Sequence, residues 1–254
     1  MKNLNILKPM KTRSILAFLL VIFICNTNIT AQNYEKTPNG LKVTINSIDV
    51  ELQFYSPSTI RVVKSPVGWK YTKESLSVVG KPQIIKFSTE QKEDVVTLKS
   101  NNIGISIDLK SGVINFVDAK NKSLLKEKSA PQFTDFNDAG VKTFKVCQPF
   151  ALDKDEAIYG LGQLQNGKMI QRNQTKNLIQ GNVENVVTFF QSNKGYGVFW
   201  DNYSPTVFKD DQQETSFTSE VGDCVDYYFM NGGNADGVIA QMRSLTGLVP
   251  MFPL

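Results

Sequence analysis

From Leu41 onward the chain alternates apolar and polar residues, and turn signals recur at intervals of about ten residues. Leu41, Val43 and Ile45 share one face, Val50, Leu52 and Phe54 the next, and Ile60 to Val63 follow before Ser65-Pro66. The pattern continues through Ile84 to Phe87, Val95 to Leu98, Ile103-Ile105-Ile107-Leu109 and Val113 to Phe116, with breaks at Asn101-Asn102 and Lys110-Ser111-Gly112. Side chains that repeat every two residues give each strand one buried and one solvated face, so two such sheets must pack face to face. The expectation is an all-β sandwich. Asp118 to Asp138 fits no clear pattern and reads as a solvated connection.

Phe144 to Leu152 resumes strand character and ends in the acidic turn Asp153-Lys154-Asp155-Glu156, which lacks the ligand and glycine pattern of a calcium loop and reads as a plain turn. Ile158-Tyr159-Gly160-Leu161-Gly162-Gln163 has neither the third glycine nor the following helix of a phosphate loop. Its two glycines mark a bulge or a close backbone contact. A polar arm from Leu164 to Asn185 follows, too long for a mere connection and rich in the amide and carboxylate groups that suit sugar hydroxyls. Val186 to Phe190 and Tyr196 to Trp200 then flank Ser192-Asn193-Lys194-Gly195 as an aromatic hairpin. Gly195 would supply a positive φ and Gly197 a close approach, and Asp201 to Pro205 closes a turn. Trp200 is a core residue on this reading, or else a sugar platform.

Ser216 to Thr218 and Val225 to Phe229 complete the strands. Asp223 and Asp226 invite a glycosidase reading, in which paired carboxylates stand about 5 to 10 Å apart. Their odd spacing along an extended strand sends them to opposite faces, so they read as structural. One helix is expected near the end: Asn234 caps it, Asp236 lies in its first turn, and Val238, Ile239, Met242 and Leu245 form an apolar stripe. Arg243, Gly247 and Pro250 mark its stop, and the apolar Leu248 to Leu254 follows.

The first residues are of another kind. A basic head precedes eleven apolar residues, Ile15 to Cys25, and then Ile29-Thr30-Ala31. This is the pattern of a secretory signal cut after Ala31, and the run is shorter than the roughly twenty residues of a spanning helix. Ile24 is bulky where a lipoprotein signal puts a small residue, so Cys25 is not read as a lipid anchor. The expected address is secreted or periplasmic. Of 28 basic residues four lie in this head and none of the 24 acids does, so the mature chain is neutral and nucleic acid is set aside as a partner. The chain has no histidine, which excludes a Ser-His-Asp triad, a Cys-His pair and an imidazole-bound zinc. Cys147 and Cys224 either pair in an oxidising compartment or sit as free buried thiols, and the latter reading is preferred. No cofactor and no metal is expected.

Tyr159-Gly-Leu-Gly-Gln163, Lys194-Gly-Tyr-Gly197, Trp200-Asp-Asn-Tyr-Ser204, Gly222-Asp223 with Asp226-Tyr-Tyr-Phe229, and Leu245-Thr-Gly247 with Pro250 together resemble glycoside hydrolase family 31, the retaining α-glucosidases and α-xylosidases. Before Ala151 the match is to architecture only. The resemblance implies a galactose-mutarotase-like β-sandwich that precedes a (β/α)8 barrel carrying both catalytic aspartates. It therefore implies no catalytic residue in this chain. It divides the chain into a signal (1–31), a sandwich (32–233) and a helix and linker (234–254) that lead to a barrel the chain does not contain, as in a truncated enzyme. By position, Gln180 to Asn185 resembles the loop that the family's sandwich sends to the active-site rim, which makes Gln180, Asn182 and Glu184 the substrate-side candidates. An α-linked oligosaccharide and the missing barrel are the implied partners. The alternatives are a free-standing carbohydrate-binding module and a structural sandwich with no ligand.

Overall fold

The structure, a computed structural model, describes residues 34–69 and 74–251. The signal with its cleavage site, and the end of the apolar tail, lie outside these residues. The strands in chain order are β1 (Glu35–Thr37), β2 (Gly40–Ile45), β3 (Ile48–Ser56), β4 (Thr59–Pro66), β5 (Ser88–Lys92), β6 (Val95–Lys99), β7 (Ile103–Asp108), β8 (Ile114–Asp118) and β9 (Ser123–Glu127). There follow β10 (Gln132–Asp138), β11 (Val141–Ala151), β12 (Ile158–Gln163), β13 (Gln174–Leu178), β14 (Asn185–Ser192), β15 (Tyr196–Trp200), β16 (Thr206–Asp210), β17 (Thr215–Gly222) and β18 (Val225–Asn231), and then helix α1 (Ala235–Thr246).

They form two antiparallel sheets. The first has the order β1-β2-β3-β4-β18-β15-β14-β12, and the second runs β13-β16-β17-β11-β9-β8-β7-β6-β5 with β10 paired to β11. Alternation carries one face of each into a shared core. Leu41, Val43, Leu52, Phe54, Ile60, Val62, Val198, Trp200, Tyr227 and Phe229 face Val96, Leu98, Ile105, Ile107, Phe116, Val146, Phe150, Phe208 and Phe217. Rings interlock across the gap: Phe116 stacks on Phe229 at 4.2 Å between centroids, and Phe190 on Phe217 at 6.0 Å. The all-β sandwich with one C-terminal helix is thus the observed fold.

Helix α1 lies on the outer face of the first sheet. Val238 and Leu245 join Tyr55, Phe189, Phe199, Tyr228 and Met230 in a second apolar cluster, with Met242 at its margin. The Asn234 side chain accepts the Gly237 N–H at 2.8 Å, and Gly247 closes the helix at φ 94°. Ile239, placed in the apolar stripe by its spacing, is 41% exposed, and Gln241 is instead bonded to Thr59 at 2.9 Å. The expected close approach at Gly197 is to this helix: a Cβ there would lie 2.6 Å from Val238 Cγ1. Gly195 has the expected positive φ of 82°.

Three segments differ from expectation. Ile84 to Phe87 is not a strand but an irregular run ahead of β5, from which Phe87 packs on Phe54 at 5.3 Å. Asp118 to Asp138 contains β9 and β10 rather than a plain connection, and the polar arm contains β13. Cys147 and Cys224 are not joined in a disulfide. Cys147 is partly exposed and Cys224 is buried.

Candidate functional site

The arm between β12 and β14 carries all three candidate residues, Gln180, Asn182 and Glu184. It leaves the first sheet after β12, contributes β13 to the edge of the second sheet, and returns to the first at β14. At its root Gly160, Leu161 and Gly162 all have positive φ (124°, 64° and 96°), and the β12–β14 register shifts there. This is the bulge expected from the two glycines. A Cβ on Gly162 would lie 2.0 Å from the Asn185 carbonyl oxygen, so strand and arm meet too closely for any side chain.

Charged side chains fasten the arm on both sides. Arg172 Nε donates to Asp210 Oδ2 at 2.9 Å, and its guanidinium also donates to the carbonyls of Asp153, at 3.1 Å, and Glu156. Asp210 further accepts the Asn173 N–H at 2.5 Å and the Thr215 hydroxyl. Glu156, in the stretch read as a plain turn, is 4% exposed: it accepts from Ser192 Oγ at 2.6 Å, from the Tyr196 hydroxyl, and from Lys194 Nζ at 3.0 Å. Burial pushes the Tyr196 hydroxyl well above its ordinary value, and the Glu156 charge adds to that. Burial alone would lower Lys194, but its bonds to Asp153 and Glu156 outweigh it and hold the ammonium above its ordinary value. These groups are clamps, each saturated by partners inside the fold.

The arm's tip is the Gln180–Asn185 loop. Gln180 Nε2 donates to the Val186 carbonyl at 2.9 Å, and the Val186 N–H donates to Gln180 Oε1 at 3.2 Å, so the side chain acts as an extra rung that pinches the loop. The Gly181 N–H donates to the Glu184 carbonyl at 3.2 Å. Glu184 Oε1 accepts from the Gln165 N–H at 3.3 Å and Lys176 Nζ at 3.4 Å, which ties together three segments of the arm. Asn182 stands exposed at the tip. Of the three candidates, Gln180 and Glu184 therefore spend hydrogen bonds on holding the loop. Beside it lies a groove of about 490 Å³ bounded by Gln180, Val187, Thr188, Asp201 and Tyr203.

Trp200 does not line a sugar platform. It is fully buried, stacks on Phe217 at 5.7 Å, and donates its indole N–H to Ser219 Oγ at 2.8 Å. Its carbonyl accepts the Thr188 hydroxyl at 2.6 Å, which ties the arm's return strand to the hairpin. Asp226 is held by Arg61 through two bonds, at 2.9 and 2.7 Å, and Asp223, in the turn before β18, accepts from Thr143 Oγ1 at 3.4 Å. Asp226 is buried and engaged by Arg61, the structural role expected of it, whereas Asp223 lies in the turn and not on the extended strand, so the opposite-face argument does not reach it.

Sequence reasoning missed a further cluster. Lys64, the next inward position after Ile60 and Val62, enters the core and meets Glu127 of the other sheet at 2.6 and 2.7 Å. Glu127 also accepts from the Tyr227 hydroxyl at 2.7 Å and the Ile114 N–H at 2.8 Å. Burial lowers Lys64 from its ordinary value against the pull of Glu127. Both ionic side chains have zero exposure, so the cluster bolts the sheets together and is closed to substrate. Among the described residues no group of three or more acidic or cysteine side chains is placed to hold a metal.

The fold is shared with known proteins. The chain is 29% identical over 224 residues to an α-xylosidase of Saccharolobus solfataricus, an alignment that covers 82% of this chain and 30% of that enzyme. The solved structure of a GH31 α-xylosidase from Xanthomonas citri matches with a TM-score of 0.78 at 19% identity, over 86% of this chain and 41% of that one. A GH31 α-xylosidase from a soil metagenome, complexed with xylose, matches with a TM-score of 0.77 at 22% identity, over 87% and 36%. The chain thus spans about a third of the length of the relatives it matches. Residues 49–208 match the model of the glycosyl hydrolase 31 N-terminal galactose mutarotase-like domain, and the chain belongs to that family.

Proposed function

We propose that this chain serves as the N-terminal sandwich of an exported retaining α-glycosidase of the α-xylosidase or α-glucosidase type. In that role it supports a (β/α)8 catalytic barrel and lends the Gln180–Asn185 loop to the sugar pocket. The observation that carries this reading is the loop itself. An exposed polar tip on a sheet-to-sheet arm is costly to order, yet Gln180, Glu184, Arg172 and Asp210 all spend hydrogen bonds on ordering it. Preorganisation of that kind benefits a loop that meets a ligand. Asn182, at the tip, contacts sugar hydroxyls, whereas Gln180 and Glu184 set the loop's shape.

The chain alone would not catalyse. Retaining hydrolysis needs an acid and a nucleophile about 5–5.5 Å apart; Asp226 is engaged by Arg61, and the family resemblance leaves both catalytic aspartates to the barrel. The test is hydrolysis of p-nitrophenyl α-xyloside and α-glucoside by the purified chain. No turnover above buffer is expected, and turnover abolished by substitution of a residue in this chain would overturn the reading.

A further inference from the structure

The aromatic side chain open to solvent lies three residues beyond the buried Trp200. Tyr203 is 53% exposed, more than any other aromatic ring among the described residues. It stands between two clefts that share Asn202, Tyr203 and Ser204. One is the groove beside Gln180. The other, of about 280 Å³, is walled by Asp138, Val141 and Thr143 of the β10–β11 hairpin and by the Val221–Asp223 turn.

Tyr203 is fixed in place. Its hydroxyl donates to the Glu74 carbonyl. The preceding Asn202 is pinned by a bond from Nδ2 to the Val221 carbonyl at 3.0 Å and accepts the Ser204 N–H at 2.8 Å. An exposed ring held still loses little entropy when a ligand stacks on it. The smaller cleft is lined by the apolar groups of Tyr203, Val141 and Val221 and by two carboxylates, Asp138 and Asp223. Asp138 is exposed, and Asp223 is oriented by the 3.4 Å bond from Thr143. Its volume lies just below the range for small-ligand sites, about 300–1,000 Å³, and the adjoining groove extends it.

A cleft that combines an aromatic ring, apolar side chains and carboxylate acceptors suits a pyranose ring, whose C–H face is apolar and whose edge is lined with hydroxyl donors. We infer that this cleft is a pyranose-binding subsite in which Tyr203 stacks on the ring and Asp138 and Asp223 accept its hydroxyls. Through the shared residues it continues into the groove beside Gln180, so the ligand that fills both is an oligosaccharide of two or more residues. The subsite needs only residues of this chain. Its failure would leave the reading of the chain as an enzyme's N-terminal sandwich intact.

The test is a titration of the purified full chain with maltotriose and isomaltotriose, followed by ¹H–¹⁵N NMR and calorimetry, with spermidine as a control because two carboxylates also suit an amine. Saturable shifts are expected at the amides of Tyr203, Asp223 and Thr143, with sugar affinity in the millimolar range or tighter. Tyr203→Ala should weaken binding about tenfold or more, whereas Tyr203→Phe, which keeps the stacking face, should stay within about threefold. Asp223→Asn should weaken it, and the remote, exposed Lys120→Ala should not. The inference is overturned if no sugar shifts these amides at about 20 mM, a concentration that would half-saturate even a very weak site. Sugar binding unchanged by Tyr203→Ala, or spermidine saturating the cleft where the sugars do not, would overturn it equally.

Discussion

Replacing Glu127 by leucine tests the energetics of this sandwich more sharply than any change to its apolar core. The carboxylate accepts two bonds from Lys64 Nζ, one from the Tyr227 hydroxyl and one from the Ile114 N–H, all in a space with no solvent exposure. Its removal strands an ammonium with only the Gly112 carbonyl at 3.2 Å and the Gln148 side-chain oxygen at 3.4 Å. Breaking a buried pair from one side costs about 3–5 kcal/mol, and the unsatisfied hydroxyl and N–H each cost about 1–3 more before relaxation. We take about 4 kcal/mol as the lower expectation. At an m-value of about 3 kcal/mol/M this moves the urea midpoint down by about 1.3 M. Lys64→Met combined with Glu127→Leu removes both charges and should recover most of that loss, because no ion is left without a partner. The reasoning fails if Glu127→Leu shifts the midpoint by less than about 0.3 M, as a solvent-screened pair would. It also fails if the double variant is no more stable than the single one.

Two further outcomes follow from the same contacts. Burial raises Tyr196, Tyr227 and Tyr228 above the ordinary tyrosine value of 10.0, with Glu156, Glu127 and Asp226 as the next causes. Above pH 10 the unfolded chain therefore binds fewer protons than the folded one, and stability falls as pH rises. Absorbance near 295 nm should show these three rings ionising only in the step in which the fold is lost, and their ionisation at pH 11 in a chain with native circular dichroism would contradict this. Gly162→Ala should cost more than about 2 kcal/mol, since it combines a φ of 96° with a 2.0 Å clash on the Asn185 carbonyl. Proteolysis within the Leu164–Asn185 arm should accelerate, and an unchanged melting temperature would refute the close packing there.

The strands that alternate cleanly could be read directly, because a single apolar face leaves few ways to be buried. Helix α1 was equally legible, since its Asn234 cap and Gly247 stop are local chemistry. What failed was apolarity without alternation. Ile84 to Phe87 is rich in strand formers, yet it crosses the core's edge as irregular chain to deliver Phe87 to Phe54. Strand β9 was hidden for the opposite reason: Leu124, Leu125 and Glu127 are all buried, so the strand has no polar period. Lys64, Glu127 and Glu156 lay beyond reach because a charge is read as solvated unless its partner is known, and their partners come from strands distant in sequence. The arm stood out in the sequence by its length and polarity alone. The division of labour within it, with Gln180 and Glu184 turned back on the loop and Asn182 turned outward, required the geometry.

The central claim is that this sandwich shapes a sugar pocket whose chemistry resides in a barrel. Residues 34–247 would be exchanged for the matching portion of the Saccharolobus α-xylosidase, and hydrolysis of p-nitrophenyl α-xyloside measured for the chimera, for the chain alone, and for a chimera carrying Asn182→Ala. The account predicts turnover by the chimera, none by the chain alone, and a KM raised severalfold by Asn182→Ala with little change in kcat, as expected when binding shared by ground and transition states is lost. Turnover by the chain alone, or an Asn182→Ala chimera with the same KM as the unsubstituted one, would contradict it.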